Sequence, residues 1–504
     1  MSTAPKTGKV VILSEVKNLC PWARFFTSLR MTTFRKCTVL TIALLLACAP
    51  SWTAPEYRGI TLLYTNDTHG HLLPFSFPEP INPQEGYASM PDRTDIGGIA
   101  RRATLVHRIE AECRGNVLLL DAGDALDGTP FSIEYMGEAD FAAMSAAGYD
   151  AMTPGNHEFS ASYDEFNRNI HIAAFPIVSA DIVDRRSGKL ALPQYAIFEV
   201  DGVKIAVFGL TVPVPNYRAA KEGFDFLDPI QAAKDLVPEL RKRADIVIAL
   251  THLSDSGTVE EQKLANEAPG IDVIVSGHTH FRMATPLFIR TADRQAFRIG
   301  GTLIVQDYWW GGELGRLDLR LRRDGGPFTL MGYDGGLLPV TSNIPDDPAT
   351  KKVVDRYYRP IAEKYDEVIG EAPQTLYAGP KLISLVCDAM RQASGAQIGV
   401  YGGLRGDLLA GKIRVWDIAV MLPFRNKLMT AEITGRQLKQ AMKAHGLLCS
   451  DIGEPLDDDT VYTIATVDFF LGSALKDAKP IKTVADDYRE AVIAYIKAHG
   501  TISP

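Results

Sequence analysis

The chain has 504 residues, 46% of them apolar and 23% charged, with a mean hydropathy of −0.02. These are ordinary globular values. They exclude a disordered, collagen-like or coiled-coil chain, and no apolar run reaches the roughly 18–20 residues of a spanning helix. The net charge is −8, and residues 1–47 hold seven Lys or Arg against one Glu, which leaves −14 on the body of the chain. An acidic body excludes a nucleic-acid polymer as partner, since that needs a basic face. It admits an anionic small molecule, because bound metal ions supply positive charge locally.

Taken in chain order, residues 1–30 have no role and read as an extension upstream of a true start at Met31. Arg35 and Lys36 then precede the short apolar run Thr38–Ala47. A basic segment followed by a short apolar one reads as an export signal over 31–48. Leu45-Leu46-Ala47-Cys48 resembles a bacterial lipoprotein box, so export to the periplasm or cell envelope, with a lipid anchor on Cys48, is the expectation. The six cysteines show no C-x-x-C spacing, so no thiolate zinc site is signalled.

From residue 56 to 335, short apolar runs alternate with amphipathic stretches. Ile60–Tyr64, Val117–Leu120, Ile177–Ser179, Lys204–Leu210, Ile246–Leu250, Val273–Ser276 and Leu303–Gln306 read as buried strands. Ile99–Glu112, Phe141–Ala147 and Ile230–Arg243 read as helices. The alternation predicts a layered α/β domain, in which chemistry gathers at the C-terminal ends of strands. The turn-rich stretch Asp334–Pro348 predicts a domain boundary. A linker and helix over 336–365 and a smaller α/β domain over 366–504 follow.

Five short motifs fall at turns of the first domain: Asn66-Asp67-Thr68-His69-Gly70, Asp121-Ala122-Gly123-Asp124, Gly155-Asn156-His157-Glu158, Thr251-His252 and Gly277-His278-Thr279-His280. Carboxylate, imidazole and amide donors together suit Mn²⁺, Zn²⁺, Fe²⁺ or Co²⁺. Asp67, His69, Asp124, Asn156, His252, His278 and His280 are too many for one tetrahedral site. They suit two divalent ions about 3.5–4 Å apart, the clamp used in phosphoester hydrolysis.

These motifs resemble the 5′-nucleotidase / UDP-sugar hydrolase family within the calcineurin-like metallophosphoesterases, as does Gly97–Arg102. The resemblance implies a four-layer α/β/β/α sandwich with a second, smaller C-terminal α/β domain. It also implies ligand sets. Asp67, His69, Asp124 and His280 would hold one ion, and Asp124, Asn156, His252 and His278 the other, with Asp124 bridging. Water activated by the ions attacks phosphorus in line with the leaving alcohol, and His157 stabilises the transferring group. The family orients that histidine with an aspartate three residues later. Ser160 stands there, so either turnover is lower or another acid, such as Glu158 or Asp164, substitutes. His71 is a neighbour of the first motif, and Tyr308-Trp309-Trp310 either walls the cleft by stacking or serves packing.

In the second domain, Gly402-Gly403-Leu404-Arg405 resembles the family's phosphate-clamping turn, and Lys381 stands where many members carry an arginine. Phe424 and Phe469 match the rings that sandwich a nucleobase. The acid that reads the base is missing, because Phe470-Leu471-Gly472-Ser473 replaces it. The resemblance therefore implies an exported metal-dependent hydrolase that releases phosphate from nucleoside 5′-monophosphates, with nucleotide sugars and 2′,3′-cyclic nucleotides as further substrates. The linker near 336–365 is the expected hinge between its domains. Two alternatives are a thiosulfohydrolase-like enzyme of sulfur oxidation and a surface-anchored binding protein with degraded turnover.

Overall fold

The computed structural model describes residues 54–77, 94–291, 297, 300–450 and 455–503. The expectations placed on residues 1–48, Cys48 among them, lie outside these. No helix among the described residues is long and apolar enough to cross a membrane, and Cys113, Cys387 and Cys449 are unbridged.

Two sheets form the first domain. One runs in the order Thr329–Pro339, Glu313–Arg323, Glu56–Thr65, Val117–Asp121, Ala151–Met152. The other runs Leu287–Arg290, Gly301–Gln306, Val273–Ser276, Ile246–His252, Val203–Thr211, Tyr195–Val200. The side-chain period of two dictates how they stack. Ile60, Leu62, Leu118 and Leu120 of the first sheet share one cluster with Ile205, Val207, Ile248 and Val275 of the second. Their neighbours in sequence point the other way. Leu63, Val117 and Leu119 pack against Ile99, Ala103, Val106 and Ile109 of helix Ile99–Glu112. Phe208, Val247 and Ile274 pack against Ala233, Leu236 and Val237 of helix Pro229–Leu240. Strands buried on both faces read as continuous apolar runs for this reason, each fully buried aliphatic side chain contributing about 1.5–3 kcal/mol. The result is the four-layer α/β/β/α sandwich.

Central strands of each sheet are parallel to one another. Their C-terminal ends therefore lie on one side of the domain, and the loops leaving them converge.

Two elements differ from expectation. Ile177–Ser179 is not a strand; Ile177 makes a single bridge to Met152. Gly335–Pro339 is not a turn but the end of strand Thr329–Pro339, paired with Glu313–Leu317. Glycine and proline are tolerated there because the strand is an edge. The helix expected at the end of 336–365 is Pro348–Tyr365, capped by the Asp347 carboxylate on the Thr350 N–H at 2.8 Å. Tyr357 donates to Glu138 at 3.1 Å and Tyr365 to Glu134 at 2.6 Å, which ties the helix to the first domain.

The second domain is a sheet in the order Leu448–Cys449, Ile398–Tyr401, Val461–Val467, Leu428–Thr434, Lys479–Ala485. Helices Pro380–Ser394 and Arg489–His499 cover one face, and helix Gly435–His445 covers the other. Trp416, from helix Val415–Met421, sits among Phe131, Tyr358 and Tyr365. The apolar core is thus continuous across the domain contact.

Candidate metal centre

Each motif residue lies at the end of a strand or in the loop that the strand feeds. Asp67 and His69 follow Glu56–Thr65, Asp124 follows Val117–Asp121, and Asn156 and His157 follow Ala151–Met152. From the second sheet, His252 ends Ile246–His252, and His278 and His280 follow Val273–Ser276. The loops are folded tightly. Asp67, His69, Asp124, Asp127, His278 and His280 all have φ between +45° and +78°. Gly123 and Gly155 allow two of the loops to touch, since a Cβ on either would fall within 2.5 Å of the other loop.

The structure brings the expected metal-binding residues together. Donor atoms of Asp67, His69 and His280 lie within 4.8 Å of one another, as do those of Asp124, His252 and His278. His280 Nε2 is 3.3 Å from Asp67 Oδ1 and 3.1 Å from His69 Nε2. His252 Nε2 is 3.0 Å from Asp124 Oδ2 and 3.2 Å from Asn156 Oδ1. Asp124 also forms a third group with His69 and His157, which places it between the other two. His278 additionally faces Asp255 Oδ1 at 3.5 Å, although Asp255 is 91% exposed.

Charge shows what the centre lacks. Asp67 and Asp124 are both buried, with no Lys or Arg partner among the described ion pairs. Burial raises the Asp124 carboxyl, but the His252 and His157 rings outweigh it and hold it well below the usual range. His252 shows the converse. Burial lowers it, while the charge and hydrogen bond of Asp124 carry it up to about 10. Asp67 Oδ1 is buried without a hydrogen bond, a costly state unless a cation sits against it. The donor set and this orphaned oxygen fit divalent ions at the two His/Asp groups.

His157 lies beside the centre, its Nε2 3.9 Å from Asp124 Oδ2. Its Nδ1 is 2.8 Å from Asp127 Oδ2, a partner not expected from the sequence. The two acids expected to substitute for Ser160 do other work. The Glu158 carboxylate accepts the backbone N–H groups of Asp124, Ala125, Leu126 and Gly155; burial and the Asp124 charge push its carboxyl up to about 7. Asp164 is 91% exposed at its side chain and faces Arg186. Tyr217 was also missed; Asn156 Nδ2 donates to its hydroxyl at 3.0 Å. Asp127 carried a local signal, as an acid three residues after Asp124. Tyr217 carried none.

His71 packs against the tryptophan pair and also lines a cavity. It stacks on Trp310 at 4.2 Å, its Nδ1–H faces the His69 carbonyl at 2.9 Å, and burial pushes its imidazole down to about 3. Trp309 and Trp310 form a wall, the Trp309 ring 4.6 Å from that of His280.

Arg405 stands at a junction. A narrow passage of only about 10 Å³ beside the centre, lined by His69, His157, His280 and Arg405, shares Arg405 with two larger cavities. One, of about 590 Å³, is lined by Phe424, Phe469, Phe470, Tyr217 and Ser160. The other, of about 450 Å³, is lined by Trp309, Trp310, Trp416, Asp407 and Asp417. Phe424 stacks on His157 at 5.9 Å, and Phe469 is 62% exposed. Lys381 is the exception among the expected substrate residues. It is exposed in the first turn of helix Pro380–Ser394 and lines neither cavity.

Residues 60–282 match the calcineurin-like phosphoesterase family and residues 368–451 the 5′-nucleotidase C-terminal domain. The chain is 30% identical to a 5′-nucleotidase of Vibrio vulnificus over 79% of its own length and 78% of the relative's. A 5′-nucleotidase precursor from Thermus thermophilus superposes with a TM-score of 0.76 at 27% identity, over 88% of this chain and 97% of that one. The sulfate thiohydrolase SoxB of the same organism shares the fold, with a TM-score of 0.74 at 20% identity over 90% and 96% of the two chains. With a His/Asp metal centre at the strand ends and a second α/β domain facing it, the chain belongs to the 5′-nucleotidase/UshA family of calcineurin-like metallophosphoesterases.

Proposed function

We propose that the protein is an exported hydrolase that releases phosphate from nucleoside 5′-monophosphates. The observation that carries this reading is the placement of Arg405. It stands between the His/Asp centre and a cavity walled by Phe424 and Phe469. A phosphate held by Arg405 at the centre leaves its nucleoside in that cavity, where the two rings can stack on a base. Asp67, His69, Asp124 and His280 would hold one ion and Asp124, Asn156, His252 and His278 the other, Asp124 being shared, with Mn²⁺, Zn²⁺, Co²⁺ or Fe²⁺ all suited to these donors. The ions supply Lewis-acid polarisation of the phosphoryl oxygens and a water nucleophile at neutral pH. His157 faces the same passage and stabilises the charge that develops on the transferring group. Phosphate specificity rests on Arg405. Base specificity is broad, because stacking discriminates less than hydrogen bonds do.

The cavity of about 450 Å³ on the other side of Arg405 favours a second reading. Its tryptophans and carboxylates suit a second substrate group, as in a nucleotide sugar. Export rests on the sequence of residues 31–48, with Cys48 as the lipidated residue. The intact Asn156-His157 pair weighs against the sulfur-oxidation alternative, and the full donor set weighs against a pure binding protein.

The test is hydrolysis by residues 49–504, loaded with each metal in turn, of AMP, UDP-glucose, 2′,3′-cyclic AMP, an aryl phosphate and glycerol phosphate, read as phosphate from the monoesters, UMP and glucose 1-phosphate from UDP-glucose, and a nucleoside monophosphate from the cyclic diester. Preference for AMP, abolished in Asp124→Asn, is the expected result. Equal turnover of AMP and glycerol phosphate, which has no ring to stack, would retire base stacking. Nucleotide retention without phosphate release would overturn the hydrolase reading.

A further inference from the structure

We propose that Asp127 is the positioning residue for His157, so that the carboxylate expected at position 160 has moved into the loop of the bridging aspartate. The inference rests on the hydrolase reading of the centre. Asp127 Oδ2 lies 2.8 Å from His157 Nδ1, and the two side chains are only 9% and 6% exposed. A carboxylate accepts and does not donate. The shared proton therefore sits on Nδ1, and Nε2 is the nitrogen presented to the passage. Asp127 also supplies the negative charge that a serine at 160 cannot.

The surrounding backbone shows that this contact is built in. Asp127 has φ +63°, and its N–H donates to Ser132 Oγ at 3.0 Å. Gly128 follows, and a Cβ there would fall 2.2 Å from the His69 carbonyl oxygen, so the loop is seated against the first metal loop. Contacts between the Asp124 and His157 loops run in both directions. Glu158 accepts N–H groups from Asp124, Ala125 and Leu126, while Asp124 Oδ1 accepts the His157 N–H at 2.7 Å and Asp127 accepts the ring. The histidine is thereby keyed to the residue that sits between the two metal groups. Asp127 and Ser160 line the same cavity, so a carboxylate restored at 160 has the same region to work in.

The experiment compares metal-loaded wild type, Asp127→Ser, Asp127→Asn, Ser160→Asp and the double variant Asp127→Ser/Ser160→Asp on AMP and on an aryl phosphate. Bound metal is measured for each by equilibrium dialysis. Asp127→Ser is expected to lose about 10–100-fold in kcat, with little change in KM and full metal content. Asp127→Asn keeps the shape and an acceptor but not the charge, and its kcat falls between those of wild type and Asp127→Ser; it carries the test if the serine variant does not fold. The double variant is expected to regain most of the lost kcat, and Ser160→Asp alone to gain none. Wild-type kcat in both Asp127 variants would overturn the proposal. So would loss of metal in parallel with kcat, or no recovery in a folded, metal-loaded double variant. The aryl phosphate separates this inference from nucleotide preference, since a weak AMP reaction with normal aryl turnover counts against the nucleoside reading alone.

Discussion

The two sides of the cleft are built to different tolerances. On the N-terminal side, buried polar atoms are held by neighbours from other loops. Asp124 receives the His157 N–H and faces His252, while Asp67 receives the His278 N–H at 2.9 Å and faces His280. On the C-terminal side, Arg405 is exposed, Phe424 is half-buried and Phe469 is 62% exposed. Bond-making chemistry needs atoms fixed to within fractions of an ångström. Holding a flat ring by stacking needs only a surface.

Four substitutions sharpen or break that contrast. The largest effect is expected from Asp124→Asn, a loss on the order of 10³-fold or more in kcat/KM on every phosphoester. Persistent aryl-phosphate turnover in this variant would show that the centre is not the common element. Next is Arg405→Ala, which removes hydrogen bonds to a charged group worth about 1.5–3 kcal/mol; steady-state kinetics should show the loss chiefly in KM. Phe469→Ala is expected to raise KM for AMP about fivefold, for about 1 kcal/mol of stacking. It should leave an alkyl phosphate such as glycerol phosphate untouched, and an equal loss on both would mark Phe469 as structural.

The smallest effect is read on stability. Asp181 is buried, and burial pushes its carboxyl up to about 7 against the pull of hydrogen bonds from Ser179 and the Thr211 N–H. Unfolded, it titrates at about 3.9. The folded state therefore holds the extra proton between those values, and stability falls as pH rises from about 4 to 7. Asp181→Asn should flatten the decline of Tm over that window by about 2–4 °C per kcal/mol removed. An unchanged slope would assign the decline to other buried acids.

Sequence and structure agree where one local rule suffices. Runs such as Val117–Leu120 and Val273–Val275 are apolar throughout because both faces of their strands are covered. The residues now found around the centre were legible because each follows its strand directly. The partner of His157 was missed although Asp127 lies three residues after Asp124, since packing between two loops decides which acid meets the ring; Glu158 and Asp164 were closer in sequence and already occupied. Lys381 matched an expected position but has an exposed side chain, and a helix first turn does not reveal which way it faces. Gly335–Pro339 carried turn chemistry while forming an edge strand, because edge position is a property of the sheet and not of the segment.

The left-handed backbone of the metal loops has a consequence for the resting protein. Six non-glycine residues take that conformation there, each at a cost of roughly 1–2 kcal/mol in an L-residue, and two of them carry buried carboxylates. Burial raises the Asp67 carboxyl, but the His280 and His252 rings outweigh it and hold it below the usual range, so its charge is partly compensated even without metal. A bound cation adds to that compensation only in the folded state. The metal-free protein should therefore melt lower than the loaded one, and Asp67→Asn, which gives up both the ring contacts and the ion, should melt no higher than metal-free wild type; a higher melting temperature would show that the carboxylate is a net burden on the fold.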